Sequence, residues 1–88
     1  MYPINAEDTL TRVTRYDLSR GDCTLTIEVF FELAGPNPGR WQACPLHKSG
    51  AFHVSAALWG EGDSEAAALR DCLGKIRHLP IPDIHAHP

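Results

Sequence analysis

No stretch of this sequence is apolar for the roughly 20 residues that a bilayer-spanning helix takes, and its first segment, Met1 to Asp8, has neither a basic start nor an apolar run. Neither a signal peptide nor a membrane anchor is read there, and the chain is expected in the cytoplasm. Cysteine is scarce: three residues, odd in number and widely spaced, make no disulfide framework, and reduced thiols fit the same compartment. Basic charge is scarce as well. Eight Lys and Arg against eleven Asp and Glu leave a net charge of -3, so a nucleic-acid role needs a local basic patch rather than an overall attraction to phosphate. A catalytic or cofactor signature is also missing. What remains, 88 residues of which 43% are hydrophobic, is enough for one domain (1–88) around one core and too little for two. A core that small is marginally stable, which makes self-association a natural default.

The clearest strand is Cys23 to Leu33, where Cys23, Leu25, Ile27, Val29, Phe31 and Leu33 alternate with Thr24, Thr26, Glu28, Phe30 and Glu32. Before it, Thr9 to Leu18 is rich in Thr, Val and Tyr, and Ser19-Arg20-Gly21-Asp22 supplies turn chemistry, so a β-hairpin is expected although the alternation there is poor. Arg20-Gly21-Asp22 spells an integrin-recognition tripeptide, but here it reads as the hairpin turn. Ala34 to Gly39 is a loop by its Pro and Gly content, and a short strand is expected at Arg40 to Leu46. After His47 to Gly50, the alternation of Phe52, Val54, Ala56 and Leu58 predicts a further strand over Ala51 to Trp59.

A helix is predicted from about Ser64 to Leu79, with Asp63 or Ser64 as its cap, Ala66, Leu69, Cys72, Leu73 and Ile76 on one stripe, and Pro80 as its stop. The tail, 80–88, reads as extended and docked through Ile81 and Ile84. The expected class is α+β: an antiparallel meander of three or four strands with one C-terminal helix packed on one face, ββββα or βββα.

A strand end, an acidic glycine-containing turn (Gly60-Glu61-Gly62-Asp63-Ser64-Glu65) and an Ala/Leu helix together resemble the HicB-like antitoxin domain over about residues 39–79. The resemblance implies a partial double-stranded-RNA-binding-like βββα core and, at most, a toxin-like or other protein partner. The DNA-binding segment that often follows in that family has no room in the nine residues after Leu79. RNA binding through the helix start is disfavoured too, because Glu61, Asp63 and Glu65 stand where such domains present lysines.

Cys44 and His47, with His85 and His87, have the donor types for a tetrahedral metal, but a single Cys-x-x-His lacks the paired spacing of zinc motifs, and no metal or other cofactor is assigned. Cys44 near His47 or His53 has the types of a nucleophile and base, with no orienting third residue in view, so the chain is read as non-enzymatic. Phe30, Leu46 and Trp59 are expected on the sheet face away from the helix, and Gly74 on the outer side of the helix; these four are the interface candidates. The function expected is a small interaction module working through a homo-oligomer or a protein partner. The alternative is a nucleic-acid-binding module using Arg12, Arg15, Arg20 and the sheet-face aromatics.

Overall fold

The computed structural model describes residues 2–87. β1 (Leu10–Arg20), β2 (Cys23–Ala34), β3 (Trp41–Pro45) and β4 (Gly60–Gly62) form one antiparallel sheet in the order β1-β2-β3-β4. It is covered on one side by α1 (Glu65–Ile76) and by a short α2 (Ile81–His85). The α+β meander with a helix on one face is therefore present as expected.

β1 and β2 are long because the two-residue loop Gly21-Asp22 joins them in a tight hairpin, with Arg20 opposite Cys23. Gly21 has φ +60° while Asp22 keeps a negative φ, the pattern of a type II′ turn, whose twist matches that of the flanking strands. Arg20-Gly21-Asp22 is thus a turn. The first strand forms and runs from Leu10 to Arg20, beyond the expected 9–18, since pairing with the strongly alternating β2 compensates for its own poor pattern.

The register divides the side chains into two sets. Leu25, Ile27 and Val29 of β2 and Ala43 of β3 point to the helices and join Val54, Leu58, Ala68, Cys72, Ile76, Ile81 and Ile84 in the core. Val13, Arg15 and Asp17 of β1, Glu28 and Phe30 of β2, and Gln42 and Cys44 of β3 lie opposite one another on the other face.

Three expectations need correction. Ala51 to Trp59 is not a strand: His53 alone makes a bridge, to Leu46, and Ala56–Leu58 is a turn of 3-10 helix capped by Ser55. The fourth strand lies beyond it at Gly60–Gly62. The apolar alternation is real, and Val54 and Leu58 are buried, but the Ala56-Ala57 pair has little strand preference, and Phe52 turns outward, 52% exposed, to stack on His47.

The helix stripe is rotated as well. Ala68, Cys72 and Ile76 are buried, whereas Leu69 is half-buried and Leu73 is 37% exposed. The cause is the pair of glycines in β4. A Cβ on Gly60 would stand 2.2 Å from the Ala68 carbonyl oxygen and 2.3 Å from the Cys72 nitrogen, and one on Gly62 would stand 2.5 Å from the Ala67 Cβ. Only glycine lets α1 come this close, and small residues must then face β4. Asp71 accepts from the Glu61 amide at 3.0 Å, Lys75 donates to the Trp59 carbonyl at 2.6 Å, and Cys72 donates to the Leu58 carbonyl at 3.5 Å, holding the helix in that seat. Ser64 caps α1 by accepting from the Ala67 amide at 3.1 Å.

The tail is the third correction. It is not extended over 80–88: Pro80 precedes a helical turn, Ile81–His85, whose Ile81 and Ile84 are buried as the docking residues. Proline at the second position, Pro82, suits a helix start, where no amide partner is needed. Pro88 lies outside the described residues.

Candidate functional site

The helix-free face holds a cavity of about 230 Å³, lined by Thr11, Phe30, Glu32, Arg40, Gln42, Cys44, His53 and Trp59. β2 supplies Phe30 and Glu32, β3 supplies Gln42 and Cys44, and the connection from β3 to β4 brings His53 and Trp59 over the sheet. The His53 ring stands edge-on to Phe30, with centroids 5.3 Å apart, and edge-on to Trp59 at 6.0 Å. Trp59 is fixed by its indole N–H, which donates to the Val54 carbonyl at 2.9 Å. The cavity is thus walled by aromatic rings and rimmed by charge.

Beneath His53 lies Glu28, a buried carboxylate only 8% exposed. One oxygen is 2.8 Å from His53 Nε2, and the other accepts from Arg15 Nε at 2.8 Å. Burial alone would raise the Glu28 pKa, but the hydrogen bonds from His53 and Arg15 more than offset it and hold the group below its ordinary value. At the rim, the hydrogen bond from Arg40 lowers the Glu61 pKa, and Gln42 donates to the same carboxylate.

Cys44, Glu28 and His53 make a thiol, an imidazole and a carboxylate on one face, a third group that sequence reasoning missed. The signal was present, since Cys44 and Glu28 are register partners, but it became visible only through the pairing of β2 with β3. The arrangement does not activate sulfur. Cys44 is buried, and desolvation pushes its pKa up to about 12, with Cys72 and Glu28 adding to the effect. No hydrogen bond joins its thiol to His53 among the described residues, and Glu28 engages His53 through Nε2. A thiol that stays protonated at neutral pH is a poor nucleophile.

Of the interface candidates, Phe30 and Trp59 meet in this cavity. Leu46 lines a separate space of about 190 Å³ with Thr24, Thr26, His47, Lys48, Gly50 and His85, on the other side of the Glu28–His53 pair. Gly74 stands apart from both on the outside of α1, where an added Cβ would meet nothing within 4 Å. Cys44, His47, His85 and His87 do not converge: no group of three or more metal-ligating side chains occurs among the described residues.

The three arginines do not form a patch either. Arg12 lies over the Phe31 and Trp41 rings, Arg15 is held by Glu28, and Arg20 donates to the Ile76 and Leu79 carbonyls at the end of α1. Set against known protein families, curated proteins and solved structures, the chain matches none of them. Among the described residues no helix is long and apolar enough to cross a membrane.

Proposed function

We propose that the chain is a non-enzymatic protein-interaction module whose contact surface is the part of the sheet the helices leave uncovered. The observation that carries this reading is the aromatic-walled cavity around Phe30, whose one thiol is held protonated and whose imidazole is already engaged by Glu28. A cavity of about 230 Å³ is smaller than the usual small-molecule site and suits a single large side chain of a partner. Aromatic rings of Phe30 and Trp59 beside the charged Arg40 and Glu32 combine the groups found in a protein contact. A HicB-like, antitoxin-like role belongs to the same proposal, with a small toxin-like protein as the partner.

The test is amide-shift mapping of the labelled protein against a set of extended peptides differing in one central side chain. Peptides with a large apolar centre shift Thr11, Phe30, Gln42 and Cys44, and Thr11→Phe, which fills the cavity, abolishes the shifts. Shifts that ignore the central side chain, or that survive Thr11→Phe, count against the reading. For the alternative, binding to mixed oligonucleotides is measured against salt. Absence of salt-sensitive affinity at low ionic strength removes the nucleic-acid class, as the intramolecular engagement of Arg12, Arg15 and Arg20 leads us to expect.

A further inference from the structure

β1 is an eleven-residue strand at the margin of the sheet, with β2 on one side only. The opposite margin, β4, has three residues. A two-residue hairpin closes on a hydrogen-bonded pair, here Arg20 and Cys23, and such pairs alternate along an antiparallel ladder. Arg12, Thr14, Tyr16 and Leu18 therefore bond toward β2. Val13, Arg15, Asp17 and Ser19 direct their N–H and C=O groups outward, where no backbone partner stands among the described residues. An exposed edge of this length is a template for another strand.

Three observations point to what covers it. Leu10, Val13 and Tyr16 are exposed on this one strand, and Leu73 of α1 is exposed beside it. Tyr16 and Leu18 line a mostly apolar gap of about 170 Å³ with Ile27, Leu69 and Leu73, on the helix side of the edge. The outward-bonding residues include Arg15 and Asp17, of opposite charge and two positions apart. Arg15 uses Nε for Glu28, and Asp17 uses Oδ1 for Thr26, so each retains polar atoms with no partner among the described residues.

We propose that β1 pairs antiparallel with β1 of a second copy about a two-fold axis at Tyr16, joining two four-stranded sheets into one of eight. This rests on the interaction-module reading but places the second copy at the edge rather than over the cavity. An axis normal to the sheet sets opposite each other only residues on the same face, so it must pass through a residue position. At Tyr16 it sets Arg15 against the partner's Asp17 twice, and brings the two Tyr16 rings together beside the gaps lined by Leu69 and Leu73. At Arg15 it sets Arg15 against itself, and like charges directly opposed are destabilising. At Thr14 it gives no opposite-charge pair. The Tyr16 register does oppose Arg12 to Arg20, but both are drawn toward their own chain, Arg12 over Phe31 and Trp41 and Arg20 onto carbonyls.

Paired edges alone are small for an interface, so dissociation in the micromolar range is expected. Opposed non-hydrogen-bonded residues have Cα atoms about 4.5 Å apart, within disulfide reach. Tyr16→Cys is therefore oxidised at micromolar concentration beside Thr14→Cys and the unmodified chain, which controls for Cys23. A covalent dimer from Tyr16→Cys alone is the expected result. Cross-linking of Thr14→Cys in its place overturns the register, and a wild-type chain that sediments as a monomer through millimolar concentration overturns the pairing. Asp17→Arg, a change outside the core, weakens dimerisation by about tenfold or more by opposing like charges; an unchanged dissociation constant contradicts the proposal. The peptide titration reports other amides, so either reading can fail while the other stands.

Discussion

Glu28 shows how a single residue can be both buried and charged. Its carboxylate is held ionised by His53 and Arg15, and its folded pKa lies below the ordinary 4.5; those of Glu61 and Asp71 are lowered too, chiefly by Arg40 and by the Glu61 amide respectively. Groups with depressed folded pKa values contribute stability that is present above their ordinary values and lost as pH falls through the folded ones. Stability should thus fall as pH drops below 4.5, and Glu28→Gln should shallow that fall in denaturant titrations at a series of pH values. A second residue-level prediction concerns sulfur. Burial pushes Cys44 up to about 12 and Cys72 up to about 11, so iodoacetamide at pH 8 should label neither in the folded protein and both in denaturant. Mass spectrometry of the digested protein reads this directly, and rapid labelling of folded Cys44 would restore it as a nucleophile.

The elements behave differently according to how much of their stability is local. β2 and its turn were legible because its alternation is strict and Gly21 sits at a position requiring positive φ. Ser64 was legible as a cap, and Phe30 as a residue of the open face. The strand expected at Ala51 to Trp59 failed because Val54 and Leu58 reach the core from a loop and a 3-10 turn, which mimic the period of a strand. The stripe on α1 was misplaced for a reason no helix pattern contains: contact with Gly60 and Gly62 selects Ala68 and Cys72 over the larger Leu69 and Leu73. Likewise, Glu28 and Cys44 became site neighbours of His53 only through the pairing of strands. Two substitutions separate these effects. Gly60→Ala drives a methyl into the α1 backbone and should cost about 3 kcal/mol or more, whereas Gly74→Ala points into open space and should add about 0.5 to 1 kcal/mol by removing a weak helix position. In thermal melts the first lowers Tm by more than about 10 °C and the second raises it by a few degrees.

At the scale of the whole molecule, the helices and the sheet divide the work. α1 and α2 close the core on one side, and the β3–β4 connection roofs part of the other, with the Phe30 cavity and the β1 margin among the surfaces left open to contact. Along α1, Asp71 accepts from the Glu61 amide and Lys75 donates to the Trp59 carbonyl, so the side of the helix toward β4 is occupied by the fold itself. Contact through the sheet is the central claim, and residue-resolved hydrogen exchange along β1 at micromolar and millimolar protein tests it most directly. The predicted result is that Arg12, Thr14, Tyr16 and Leu18 are protected equally at both concentrations, while Val13, Arg15, Asp17 and Ser19 gain protection as the concentration rises. Fast exchange of those outward amides at both concentrations would contradict it.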